Sequence, residues 1–540
     1  MLAERLGWLA VVETGREIDA LERLTPLGWT GSLIAILGGL TASFLLFGYW
    51  YPFWRIADQD VLLIYDVLLR NSGLPREIVY HPSHINVLTL GGIYRLLHGL
   101  GLLETYSLAT LPPATDADGF ARAWTNLVQV ARLISLATVF AYVAAFAWLL
   151  RRLVDDWRVA LVGAFAIAYS GGIAMAIRSV KSELVSGALM TAALLVLLIA
   201  ARSRRSPWRP LLIGAAALLA ALAVENKVQA IFPILAFPIL LLAFGERGDR
   251  TGFWRQARAP WAVAGLIALA LVAGAAAMPL VIQGLHPELA QGTAVRPLFG
   301  MAGGFHALLA VWIGLGVIAF ALVWRVGPAE TVATAAAIVA GVAIGLLPLY
   351  LFRETSVVAF VINPIESLLS GLSSPAACGP DGCAILLPML ASSLKAMLAH
   401  HSFVFHTSPR PAIFLEWLVV IGIVAVTRRG ETKVALQAAL LIGAVWGIDT
   451  LHAARALKQD YFHYTDPLII IAAVLLLPKF TAARYRGLIF PAGVALFWLH
   501  VVFSQAEPVK HAWLRADDPK STCVILNGLK RIERFPFCRG

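Results

Sequence analysis

The chain has 540 residues, 59% of them hydrophobic and 14% charged, with a formal net charge of +11 and a mean hydropathy of +0.78. A soluble domain is nearer a quarter charged, and apolar runs of about 20 residues, each enough to cross a hydrocarbon core, recur along the chain. This excludes a soluble enzyme. The lack of alternating segments of about ten residues excludes a β-barrel, and basic residues placed between apolar runs fit the positive-inside bias better than a nucleic-acid surface.

Residues 1–27 carry mixed charge, with acids at Glu4, Glu13, Glu17, Asp19 and Glu22. A positive n-region and a small-residue cleavage site are missing, so a cytoplasmic interfacial helix is expected here and not a cleavable signal. The first span is expected over 28–50. The stretch Tyr51 to Arg95 follows, with acids at Asp58, Asp60 and Asp66 and the segment Tyr80-His81-Pro82. Within it, VLLIYDVLLRNSGL has helical spacing and ends in an Asn-Ser-Gly stop. The apolar segment 85–103, interrupted by Gly91-Gly92 and His98, is expected to lie at the interface or to insert partly. Further spans are expected over 127–150, 158–176, 184–201, 210–224, 228–244, 260–282, 304–324, 331–352, 411–427, 434–450, 467–478 and 487–504. By length this gives roughly 13 crossings. The expected class is an all-α polytopic membrane protein: a cytoplasmic segment 1–27, a transmembrane domain 28–504 and a tail 505–540.

With the N-terminus cytoplasmic, the basic clusters 151–158, 202–209, 247–258, 428–433 and 479–486 all fall inside. The first loop 51–103, a large loop 353–410 and the tail then fall outside, as do all four cysteines. Cys378 and Cys383 flank a turn-rich Gly-Pro-Asp-Gly, and Cys523 and Cys538 are the tail's two cysteines. Two local disulfides suit an oxidising compartment. Free thiols, or a metal site with spacing unlike CxxC, are the alternatives.

Charges beside membrane spans are costly and are functional candidates by default. On the inferred outer face these are the acids Asp58, Asp60, Glu183 and Glu225, and the bases Arg178, Lys181, Lys227, Arg353, Arg455 and Lys458. The segment 457–467 adds Tyr461, His463 and Tyr464. A cavity with carboxylates at one end and cations at another suits a phosphate-bearing sugar donor. A carboxylate takes a proton from an attacking hydroxyl, and cations hold the leaving phosphate. Simpler roles stand beside these. Asp58 or Asp60 caps a helix, Lys227 snorkels to headgroups, and Arg178 pairs with Glu183 or, with Lys181, binds anionic lipid. His81 and His84 lie three apart and contact acceptor or headgroups. His400, His401 and His406 sit in the large loop, either solvated or as metal ligands, with no carboxylate near in sequence.

The order of these motifs resembles the integral-membrane glycosyltransferases of the GT-C superfamily, in particular bacterial members related to protein O-mannosyltransferases and the lipid A aminoarabinose transferase. The acidic motif after the first span is matched by Asp58-Gln59-Asp60, and a Tyr/His-Pro segment by Tyr80-His81-Pro82-Ser83-His84. Arg132-Leu133-Ile134-Ser135 matches a span start, Arg178-Ser179 with Glu183 an Arg-Ser step, Glu225-Asn226-Lys227 a helix hairpin with a Lys at its turn, and Asp460 to Pro467 a late Tyr-rich segment. The chain departs from the family in having Asp-Gln-Asp for Asp-Glu, so the base is Asp58 by alignment or Asp60 by its carboxylate, and in lacking a late Arg-Tyr. The resemblance implies a GT-C fold with interfacial helices in the first periplasmic loop, in the bacterial inner membrane. It implies transfer of a sugar from a polyprenyl-phosphate carrier, such as undecaprenyl phosphate, to a lipid, glycan or protein acceptor of the envelope. Asp58 and Asp60 would be catalytic. His81, Arg178, Lys181, Glu183, Lys227, Arg353, Arg455, Lys458, Tyr461 and Tyr464 would bind substrate. No cofactor is firmly implied and no metal ligands are assigned, although a divalent ion on Asp58 and Asp60 stays open. A transporter or flippase for a lipid-linked glycan, or an O-antigen-type polymerase or ligase built on the loop 353–410, are the rival readings.

Overall fold

In the computed structural model the described residues are 28–56, 60–78, 82–154, 156–203, 208–247, 254, 259–285, 304–351, 361, 386–402, 412–453, 459–480, 491–495, 498, 500–502 and 519–538. Among them there is no strand, and eight helices are long and apolar enough to cross a membrane. The protein is an all-α polytopic membrane protein.

Helix α1 (Gly28–Tyr49) ends in a π-helical turn at Leu45–Tyr49, where Phe47 leaves helical geometry. The first loop folds into two helices, α2 (Asp60–Asn71) and α3 (His84–Gly99). α2 stops where Gly73 adopts a positive φ of 71°, at the Asn-Ser-Gly signal. α4 (Ala117–Val154) has 38 residues, about 57 Å at the usual helical rise and longer than a hydrocarbon core of about 30 Å. Its first half therefore stands clear of the bundle and packs on the first loop.

The span expected over 158–176 is broken. α5 (Trp157–Ala168) stops at Tyr169, and α6 (Gly171–Ala176) starts afresh with Ser170 as its N-cap, the Ser170 Oγ accepting from the Ile173 N–H at 3.5 Å. α7 (Ser182–Arg202), α8 (Arg209–Asn226) and α9 (Ile231–Phe244) follow. α10 (Ala259–Leu285), α11 (Gly304–Trp324) and α12 (Pro328–Leu351) flank them. A Cβ on Gly341 would lie 2.2 Å from the Gly214 carbonyl oxygen, so α8 and α12 touch backbone to backbone, a packing that small residues permit in lipid. α13 (Leu386–His400), α14 (Ile413–Arg428), α15 (Thr432–Ala453) and α16 (Asp466–Phe480) complete the described bundle.

Two apolar cores result. The larger runs through the spans, from Leu40 and Phe44 to Leu476. The smaller joins α2, α3, the first half of α4 and the tail, centred on Phe53, Tyr65, Trp124 and Phe535. The tail is stitched on by polar bonds as well. The Ala114 N–H donates to Glu533 at 3.1 Å, and Arg531 meets Glu77 at 2.9 Å. Cys523 and Cys538 are joined by a disulfide, while Cys378 and Cys383 lie outside the described residues.

Charge segregates along the bundle. At one end Arg202 donates to the Leu153 carbonyl at 2.6 Å, Arg209 meets Glu330 at 3.3 Å, Lys433 meets Glu246 at 3.5 Å and Lys479 meets Glu431 at 2.8 Å. Of the basic clusters, this arginine-rich end holds the described Arg202, Arg209, Lys433 and Lys479. The opposite end, called the loop end here, carries the first loop and the candidate site.

Candidate functional site

The site begins where α1 unwinds. A helix end leaves carbonyls without partners, and Arg132 of α4 takes them. Its Nη1 donates to Gly48 at 3.2 Å, Tyr49 at 3.4 Å and Tyr51 at 2.7 Å. The rest of the guanidinium grips Asp60, with Nη2 at 2.7 Å and Nε at 3.1 Å from Oδ2. The other Asp60 oxygen accepts the Val180 N–H at 2.6 Å. Both side chains are fully buried. Asp60 is thus the tie between α1, α2, α4 and the turn before α7. Both oxygens are thus engaged in holding these elements together.

A second buried pair, Asp66 with Arg76 at 2.9 Å, closes α2 onto the chain that follows it, and Asp66 also accepts the Glu77 and Ile78 N–H groups. Asp66 therefore serves the loop's structure.

The cations and acids of the turns are interleaved, not sorted to opposite ends of a cavity as the sequence suggested. Lys227 pairs with Glu183 at 2.7 Å, and Lys181 pairs with Asp460. Arg178 donates to Ser43 Oγ at 2.7 Å and to the Ala174 carbonyl. An Arg178–Glu183 pair is one alternative in the sequence, at a spacing of five that suits a helix poorly, and the α8–α9 hairpin brings Lys227 to Glu183. All of Arg178, Lys181, Glu183 and Lys227 are buried.

Asn226 knits these turns together, a role its sequence position did not announce. Its Nδ2 donates to the Ser182 carbonyl at 2.7 Å, its Oδ1 accepts the Asn86 N–H at 3.2 Å, and its carbonyl accepts the Ser83 N–H at 2.9 Å. The Asn86 side chain in turn donates to the Lys181 carbonyl at 3.3 Å. α3, α7 and α8 therefore meet at one point. Glu225 is fully buried beside it.

The late aromatic segment is a 3-10 helix, Gln459–Tyr464. A Cβ on Gly187 would lie 2.6 Å from His463 Cβ, so only glycine on α7 admits the segment this closely. Burial pushes the His463 ring down to about 4, so it is neutral at neutral pH. The Tyr464 hydroxyl donates to Ser186 at 3.0 Å, and Gln229 donates to the Tyr461 hydroxyl at 3.4 Å. Of the other expected residues, Asp58, His81, Arg353, Arg455 and Lys458 lie outside the described residues. His84 is buried, and burial pushes its ring down to about 4.

His401 is neither solvated nor remote from acids. It is buried between Glu416 and Asp449, and His406 lies outside the described residues. No set of three or more His, Cys, Asp or Glu side chains among the described residues is placed to hold a metal ion.

Beside the hairpin lies an apolar cavity of about 220 Å³ between α7, α8, α9, α11 and α12. Val224 and Ile231, which bracket the Asn226-Lys227 turn, line it with Leu197, Leu241, Val317 and Leu346. The turn that carries Lys227 is thus flanked in the chain by two residues of an apolar trough.

No family model matches the sequence, and no curated protein matches it. Among solved structures, the chain is similar to the crystal structure of the Archaeoglobus fulgidus oligosaccharyltransferase in complex with Zn and sulfate, at 14% identity and a TM-score of 0.42. The match covers 88% of this chain and 53% of that one, so the chain spans about half the length of that protein. At this identity and TM-score the likeness identifies no residue of the site.

Proposed function

We propose that this protein is a GT-C-type glycosyltransferase of the bacterial inner membrane, with its site facing the periplasm. It moves a sugar from a polyprenyl-phosphate carrier to an envelope acceptor. The observation that favours this reading is the apolar cavity among α7, α8, α9, α11 and α12, two of whose lining residues, Val224 and Ile231, flank the Asn226-Lys227 turn in the chain. A lipid phosphate needs an apolar trough for its chain and a cation for its head, and the turn supplies both within a few residues.

The chemistry follows from the charge arrangement. A base takes the proton of the acceptor hydroxyl, the hydroxyl oxygen bonds to the sugar's anomeric carbon, and the bond from that carbon to the phosphate oxygen breaks. The polyprenyl phosphate leaves with the electron pair. Lys227, Lys181 and Arg178 stabilise its charge, with Arg353, Arg455 and Lys458 assigned to the same donor. Lys227 and Lys181 are already paired with Glu183 and Asp460, so an arriving phosphate competes with these carboxylates for the two cations. With Asp60 committed to Arg132 and Val180, Asp58 is assigned as the base.

The test is sugar transfer by protein reconstituted with undecaprenyl-phosphate-linked sugars and envelope extract. Asp58→Asn is expected to lose transfer by 10²-fold or more, in the range of a general base, with binding of the donor retained. Full transfer by Asp58→Asn overturns the assignment of the base. Movement of the lipid-linked sugar across the bilayer without any transfer favours a flippase.

A further inference from the structure

His401, at the C-terminal end of α13, sits between two acids from two other helices. Its Nδ1 is 2.8 Å and 2.9 Å from the two oxygens of Glu416 in the first turn of α14, and its Nε2 is 3.0 Å from Asp449 Oδ2 near the end of α15. All three groups are buried. Trp446 Nε1 also donates to Glu416, and Trp417 Nε1 donates to the His401 carbonyl at 3.1 Å. A hydrogen must lie on each nitrogen-to-carboxylate contact, but a neutral imidazole carries only one. The group therefore holds one proton more than a neutral ring between two carboxylates.

The chain of contacts continues into the candidate site. Asp449 Oδ1 is 3.8 Å from His452 Nδ1, one helical turn on. The His452 ring stacks on Tyr461 with centroids 4.8 Å apart and an interplanar angle of 23°. It also lies 5.7 Å from the Tyr464 ring and packs edge-on to Phe232 at 5.3 Å. His452 is 1% exposed, and its ring nitrogens make no hydrogen bond. Its position is thus set by the Asp449 charge and by ring stacking. Tyr461 in turn accepts from Gln229, two residues after Lys227.

We propose that His401 and His452 are positioning residues: the proton shared by Glu416, His401 and Asp449 clamps α13 onto α14 and α15, and the clamp sets the 459–464 segment through His452. The inference rests on the reading of that segment as part of the donor site, but its coupling is measurable without any substrate. The other titratable groups on the elements packed here are Lys395 and His400 on α13, Asp460, Tyr461, His463 and Tyr464 in the 3-10 segment, Lys181 and Glu183 at the start of α7, and Asp466 at the start of α16. Lys433 on α15, Arg428 on α14 and Lys479 on α16 sit at the arginine-rich end, and α9 carries none.

Hydrogen exchange of the full chain in lipid nanodiscs tests this. In His401→Gln, protection of 459–464 is expected to fall by about tenfold or more together with that of 386–400. In the wild type, protection of 459–464, corrected for intrinsic exchange, is expected to drop on the alkaline side as the shared proton leaves, and His401→Gln is expected to abolish that drop. Loss of protection in 386–400 alone overturns the proposal. If His401→Gln does not fold, His452→Phe keeps a ring over Tyr461 but no longer responds to Asp449. Its 459–464 segment is expected to stay protected at neutral pH and to lose the alkaline drop, and a persisting drop overturns the proposal. In parallel, the affinity for undecaprenyl phosphate is read for the wild type and His401→Gln, with a several-fold weaker Kd expected in the variant. Failure of the wild type to bind that lipid counts against the donor-site reading alone. Unchanged affinity in His401→Gln overturns the link from clamp to site.

Discussion

The Asp60–Arg132 pair and the Glu416–His401–Asp449 group are both buried at the loop end, but they balance charge differently. Asp60 meets one base and one backbone N–H, and Arg132 meets Asp60 and the carbonyls that end α1. One acid faces one base, and no proton has to be shared. The second group sets two acids against one imidazole, so its contacts hold only while an extra proton stays in place. The first design ties helices together without a shared proton. The second ties its helices conditionally, and it is the one joined by stacking to Tyr461. Fixed and conditional charge thus occupy different flanks of one site.

Breaking the fixed pair is expected to have the largest effect. Arg132→Gln leaves Asp60 buried without its cation, which costs about 3–5 kcal/mol and is read as a large fall in the thermal midpoint in detergent. A midpoint equal to that of the wild type would show that Asp60 is not held by Arg132, and the contrast between the two groups would collapse.

A smaller effect is expected at the tail. Cys523→Ser with Cys538→Ser opens a loop of 15-residue separation, worth about 3 kcal/mol in chain entropy. The loss should be confined to the smaller core. Limited proteolysis should release 519–538 while hydrogen exchange at 459–464 stays unchanged. Faster exchange at 459–464 would mean that the two flanks are not independent.

The smallest effect is a pH dependence. His463 is held neutral by burial, with its ring pushed down to about 4, whereas the unfolded ring titrates near 6.5. The unfolded state therefore binds more protons between these values. The stability from His463 is present above pH 6.5 and is lost as pH falls towards 4, by on the order of 1–3 kcal/mol. His463→Phe should flatten that acid limb and leave the alkaline loss of the Glu416 clamp intact. An unchanged acid limb in His463→Phe would assign it elsewhere, with His84 as the next group to substitute, since burial holds its ring down as well.

Much of the architecture was legible residue by residue. The Asn-Ser-Gly stop ends α2 because glycine reaches a positive φ without strain, and the apolar runs fold as helices because lipid leaves backbone groups no other partner. The break at Tyr169 was not legible. Residues 158–176 are long enough to span, and the structure shows the restarted α6 packed closely on His463 at Gly172. The site was legible as a set of charges but not as pairs. His401 looked like a loop histidine without a neighbouring acid, because its partners arrive 15 and 48 residues later.

By itself the sequence determined that this is a helical membrane protein and where most of its long apolar helices fall. These are local properties: a run of apolar residues of sufficient length spans a bilayer whatever its neighbours are. Only the tertiary structure decided which acid is committed and which cation answers it. Asp60 meets Arg132 across 72 residues and Lys181 meets Asp460 across 279. A buried charge is stable only where a partner is delivered to within hydrogen-bond reach, and that delivery is made by the packing of helices far apart in the chain.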